Sequence, residues 1–205
     1  DGAHWQALQQ NLPSTSVRDI DVHENDLVIA THGRGFWIMD NVTALRQVND
    51  ASSKNATLFK PADAYRVRRP LFTGTPMPKD EPLAANPPEG AMIDYALPAH
   101  VKGPVTLTIY DAQHNIVHSF SSDDKPPMLD PVKLEYAPEW VHIPTPVLTT
   151  PGMHRFVWNL HYAAKGEAPS RRRAKDGVWA PPGNYTVELS VDGRTYKQPL
   201  VVKPD

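Results

Sequence analysis

The chain has 205 residues and a formal net charge of −2, from 21 basic and 23 acidic side chains. That is room for one or two domains with cores, and it sets up no field that would gather nucleic acid or an anionic membrane. No apolar run approaches the roughly 20 residues that span a bilayer. The absence of cysteine excludes disulfides, thiolate metal sites and a cysteine nucleophile.

The first residues, Asp1 to Trp5, lack the basic and apolar pattern of a leader, as the mature end of an exported chain also would. Three short β signals follow, at Val17 to Val22, Asp26 to Thr31 and Phe36 to Asp40. Glu24-Asn25-Asp26 and His32-Gly33-Arg34-Gly35 supply the turns between them. The unit reads as an antiparallel meander too small to bury both its faces. Thr43 to Val48 suits a helical turn capped by Asn41 or Thr43.

Proline numbers 22, about twice the usual share of ~5%. It crowds Pro61 to Pro98 and Pro126 to Pro151, which marks these stretches as extended connectors. Within the first, Ala64 to Arg69 alone has strand character. From residue 91 onward apolar residues recur at every second position, at Ile93-Tyr95-Leu97, Val105-Leu107-Ile109, Phe156-Trp158-Leu160 and Tyr185-Val187-Leu189-Val191. Further strands are expected at Ile116 to Phe120 and Thr195 to Val202. This is the spacing of half-buried strands. Asp192-Gly193 between two of them is the clearest hairpin signal. The fold class is therefore all-β: a β-sandwich over 91–205, a Pro-rich connector over 49–90, and the antiparallel meander over 1–48.

Two motifs carry a resemblance. Gly2 and Trp5 fit the end of an Asp-box, the Ser-x-Asp-x-Gly-x-x-Trp hairpin of propeller blades. Asp26-Leu-Val-Ile-Ala-Thr-His-Gly-Arg-Gly-Phe-Trp-Ile-Met-Asp40 resembles the closing blade of bacterial exported BNR-repeat proteins with a sortilin-like propeller, often labelled glycosyl hydrolases. Pro151 to Leu160 and Ala180 to Leu189 are similar to the sandwich that follows such propellers, itself similar to the immunoglobulin-like domain of flagellar hook-capping proteins and to fibronectin type III modules. The resemblance implies a partial β-propeller blade followed by an immunoglobulin-like sandwich, upstream blades as intramolecular partners, and a secreted or periplasmic location. It does not transfer an activity, because function belongs to the site.

The side chains favour binding over catalysis. A glycosidase needs two carboxylates facing across a cleft, whereas Asp19, Asp21 and Asp40 are spaced as surface or ion-pair groups. His32 and Arg34 offer a proton carrier and a cation at the blade rim. Gly33 and Gly35 already explain that block as a tight turn, with Arg34 pairing to a carboxylate such as Asp40. His114 and His118 span a turn, and His154 and His161 fall seven apart on one strand, so no metal site is expected from them. Ser121 to Asp124 has the oxygen-rich composition of a calcium loop, or simply of a turn.

Arg171, Arg172 and Arg173 form the one dense basic run, suited to an acidic polysaccharide or to solvent; the lack of interleaved aromatics argues against nucleic acid. Trp37 and Trp158 are expected in the core. Trp140 and Trp179 are expected in loops, as contacts for a sugar or a neighbouring domain. Tyr185, just after Gly183, is placed to anchor a corner by its hydroxyl. The expected function is a non-catalytic, cofactor-free accessory module that packs on a propeller and can take a carbohydrate or a peptide. The rivals are part of a BNR-type glycoside hydrolase acting from upstream blades, and a sortilin-like peptide-binding module.

Overall fold

The structure is a computed structural model that describes residues 2, 5, 7–49, 54–67, 84, 86–125, 145–164 and 176–205. Strands hold 49% of the described residues, there is no α-helix among them, and a sheet curls into a half-barrel. The protein is all-β. Its contacts divide it into two compact units, Asp1–Arg46 and Gln47–Asp205.

In the first unit β1 (Val17–His23), β2 (Asp26–Thr31) and β3 (Phe36–Met39) form an antiparallel sheet in that order. Glu24 takes a φ of 52° to make the two-residue turn between β1 and β2. Arg46 clamps this turn from below, donating to the Asn25 side chain at 2.8 Å and to the Glu24 carbonyl at 2.9 Å. Asp26 accepts the Asn41 amide at 2.8 Å and so fixes the exit from β3.

The register places Ile20, Ile29 and Trp37 side by side, with Val22, Leu27 and Met39 in the next row. Opposed residues share a face, so both of these rows on one face are apolar, with Thr31 at the end of that face. The other carries Val28, Ala30, Phe36 and Ile38 beside Asp19 and Asp21. Within the unit neither face is covered: every residue of β1 is exposed, and Ala44 is the one fully buried residue among those described in the unit. Trp37, expected in a core, is only half-buried, because its sheet has no second layer within the unit.

The second unit contains a five-stranded sheet in the order β5 (Ala64–Arg66), β13 (Arg194–Pro204), β12 (Gly183–Val191), β7 (Thr106–Tyr110) and β8 (Ile116–Ser121). A three-stranded sheet joins β4 (Thr57–Leu58), β6 (Ala91–Leu97) and β9 (Gly152–Trp158), and β10 (His161–Ala163) pairs with β11 (Asp176–Trp179) as a ribbon. β5 joins β13 in parallel while the other pairs are antiparallel. The inward rows of both sheets meet in one core. Ile93, Tyr95, Phe156 and Trp158 from one sheet and Leu107, Ile109, Val187 and Leu189 from the other are all buried. Each such side chain gains about 1.5–3 kcal/mol from leaving water.

Several elements differ from the sequence expectation. β4, β10 and β11 arise in stretches expected to be irregular. β9 ends at Trp158 instead of Leu160, because Leu160 turns to a φ of 58°. His154 and His161 consequently lie on different strands. β5 spans Ala64–Arg66, where pairing with the end of β13 defines it, and residues 68 and 69 of the expected strand lie outside the described residues. Gly90 precedes β6 at a φ of 132°, and a Cβ there would sit 2.1 Å from the Trp158 carbonyl oxygen. Only glycine lets β6 approach β9 so closely at this point.

Candidate functional site

The β2–β3 connection holds the His32–Gly35 block. Gly33 and Gly35 take φ values of 74° and 72°, which an L side chain adopts only with strain. The amide and hydroxyl of Thr31 both donate to the Gly35 carbonyl, at 3.2 and 2.7 Å. The Trp37 indole donates to the Arg34 carbonyl at 3.0 Å, and Thr15 donates to the His32 carbonyl at 3.0 Å. These bonds use the backbone of the block. The His32 and Arg34 side chains are exposed and neither bonds to another side chain among the described residues. The expected Arg34–Asp40 pair is therefore not what locks the blade; the backbone bonds and Asp26 do so. Trp5 is likewise exposed, its indole donating to the Gly2 carbonyl at 2.9 Å.

A second locus forms in the other unit, around the β10–β11 ribbon. Trp179 ends β11 and so sits in a strand, not in the expected loop, and it is 46% exposed beside Val178 at 74%. The register sets it opposite His161, with the two rings 4.6 Å apart and tilted by 54°. The Arg66 guanidinium carbon lies 5.7 Å from the centre of the Trp179 ring, within cation–π range. Arg66 also donates from Nη1 to the Ala180 carbonyl at 3.2 Å, which ties β5 to the end of the ribbon.

The ring of His161 is fixed as well. Its Nδ1 lies 2.7 Å from the Asn159 carbonyl oxygen; a carbonyl only accepts, so Nδ1 donates and Nε2 is left for other contacts. The His161 carbonyl in turn accepts from the buried Trp158 indole at 3.0 Å. The Tyr185 hydroxyl donates to the Pro181 carbonyl at 2.6 Å. Burial, then the charges of Tyr162 and Asp111, push its phenol up to about 12, against the opposing field of Arg66. Arg66 and His161 carry no sequence motif. Only the pairing of β5 with β13 and of β10 with β11 brings them to Trp179.

The other candidates do not converge. Asp19 and Asp21 are exposed on β1. His118 stacks on Phe120 at 4.0 Å, and His154 lies 5.3 Å from the Tyr95 ring. No group of three or more His, Cys, Asp or Glu suited to a metal occurs among the described residues. At Ser121 to Asp124 the Asp124 carboxylate accepts the Ser121 amide at 2.7 Å, so it closes a turn. An open cleft of about 370 Å³ lies alongside, lined by Lys102, Pro104, Ser122, Asp123 and Thr149 among others. Trp140 and Arg171, Arg172 and Arg173 lie outside the described residues. No helix of the described residues is long and apolar enough to cross a membrane. No protein-family model, curated protein or solved structure matches the chain.

Proposed function

We propose that the chain is a non-catalytic accessory module of a larger, exported β-propeller protein, and that its second unit offers a binding surface for carbohydrate. The observation that carries this is the β1–β3 sheet, which has one face of apolar rows, sets Val28, Ala30, Phe36 and Ile38 beside Asp19 and Asp21 on the other, and has no second layer within its unit. Ile20 is 57% exposed, Ile38 61% and Phe36 79%. Such a sheet is stable only when other layers bury it, and a blade stacked between blades satisfies both faces at once. The resemblance of Asp26 to Asp40 to a closing sortilin-like blade names those layers as upstream blades. A secreted or periplasmic location follows from the same resemblance.

Residues 91–205 form, on this reading, an immunoglobulin-like or fibronectin III-like sandwich. Two sheets that share one core support it, as does the Tyr185 hydroxyl reaching back to a backbone carbonyl four residues earlier. The non-catalytic part of the proposal is supported by the state of the described hydroxyl–base contacts: Tyr110 meets Glu188 at 3.3 Å, a carboxylate already paired with Lys197 at 2.9 Å, and Thr150 lies 3.5 Å from a His154 nitrogen that is engaged by the Thr150 carbonyl.

Hydrogen exchange tests the reading. Amides of β1–β3 are expected to exchange rapidly in the 205-residue chain, while β7 and β12 stay protected. Supplying the preceding polypeptide in a longer chain is expected to protect β1–β3 to a comparable degree. Protection of β1–β3 equal to that of β12 in the 205-residue chain would sink the proposal.

A further inference from the structure

The geometry points to a carboxylate site for an acidic saccharide at Arg66, Trp179 and His161, with the Arg66 guanidinium taking a uronate carboxylate and the flanking rings meeting the sugar's C–H face. Arg66 is half-buried, and a cation drawn out of water is costly unless an anion or several acceptors satisfy it. One of its five N–H donors meets the Ala180 carbonyl at 3.2 Å. No carboxylate pairs with it among the described residues. The Asp111 carboxylate, whose field reaches Tyr185 together with that of Arg66, is committed elsewhere. It accepts from the Gln113 amide at 2.9 Å, the Asn115 amide at 2.8 Å and the Asn115 side chain at 3.0 Å.

Among the described residues the remaining guanidinium donors meet no acceptor, in a group already placed by a carbonyl and an indole. A preplaced fork loses little freedom on taking a carboxylate in two parallel hydrogen bonds. The surroundings decide between a sugar acid and an acidic peptide. Peptides commonly bind by adding a strand to a sheet edge and use main-chain partners. Here the cation is flanked by the part-exposed Trp179 ring, the anchored His161 ring and the apolar Val178. A pyranose pairs its apolar C–H face with such rings while its equatorial carboxylate reaches the adjacent cation.

The site rests on reading the second unit as a non-catalytic binding surface. Oligogalacturonate titrated into the 205-residue protein is expected to shift the Trp179 indole resonance saturably, whereas a neutral galacto-oligosaccharide leaves it in place. Arg66→Gln is expected to weaken binding at least tenfold, about 1.4 kcal/mol, with raised salt weakening the native protein similarly. Because Arg66 also tethers β5, Trp179→Ala provides a second variant, at a part-exposed side chain, with the same expected loss. Absence of saturation, native affinity in both variants, or preference for an Asp-rich peptide over the saccharide would each overturn the site. Release of reducing ends from bound oligogalacturonate would overturn the non-catalytic reading and leave the carboxylate contact standing.

Discussion

Tyr95 and Tyr185 each carry one hydroxyl into the core and spend it on a backbone group. The Tyr95 hydroxyl donates to the Leu148 carbonyl at 2.9 Å and accepts the Leu148 amide at 2.8 Å, pinning that segment over β6. Burial raises its phenol to about 12, and the Leu148 bond opposes the rise; burial likewise leads the shift of Tyr185 to about 12. In the unfolded chain both ionise near 10. A raised folded value means that the stabilisation is complete below pH 10 and is lost as pH climbs through about 12. Stability against urea is therefore expected to fall between pH 10 and 12. Tyr95→Phe is expected to cost about 1–3 kcal/mol at neutral pH by leaving the Leu148 groups unpaired, and to flatten the alkaline fall. The double variant with Tyr185→Phe should remove most of that fall. A slope unchanged in the double variant would assign the alkaline loss to other groups. The inward placement of both tyrosines was legible from period-2 alternation. The partner of Tyr95 was not, since Leu148 stands 53 positions away.

Long strands announced themselves and short ones did not, for a physical reason. β12, with nine residues, repeats its alternation often enough to be told from a helix. Asp192 and Gly193 at φ values of 49° and 75° then supply the turn that its pairing with β13 needs. β4, with two residues, and β10, with three, contain at most one repeat of the two-residue period, too little to detect; they become strands because a neighbour offers hydrogen bonds. The candidate site inherits that blindness. Trp179 stood out as a tryptophan in a Gly- and Pro-punctuated stretch, but Arg66 reaches it through the Ala180 carbonyl, 114 positions along the chain. What holds the ribbon tight is Gly177, where a Cβ would come 2.5 Å from the Tyr162 carbonyl oxygen and 2.9 Å from that of Ala163. Gly177→Ala is accordingly expected to splay β10 from β11 at a cost of about 1–3 kcal/mol. In NMR spectra the Trp179 indole resonance should move as its contact with His161 opens, while that of Trp37, whose indole bonds to Arg34 in the other unit, stays in place. An unshifted Trp179 would show that the ribbon absorbs the extra carbon without opening.

At the scale of the whole molecule, the same alternating pattern yields opposite energetics in the two units. The sequence reads β3 and β9 alike, each an aromatic-rich strand. Yet Trp158 on β9 is fully buried among both sheets of its unit, whereas Phe36 on β3 is 79% exposed. Periodicity reports which side chains share a face; it does not report whether anything lies across from that face. Substitution separates the two cases. Trp158→Ala removes a large buried ring and leaves a cavity, so it is expected to cost about 3–5 kcal/mol and to lower the unfolding midpoint of the second unit sharply. Phe36→Ser removes a ring already in contact with solvent, so the unfolding free energy of the 205-residue chain should change by no more than about 0.5 kcal/mol. The same Phe36→Ser change in a longer chain that supplies the covering layers should cost several times more, because only there does the ring leave water. Equal and small costs in both chains would mean that the face of β3 stays solvated in the longer protein, and the blade reading of the first unit would lose its physical basis.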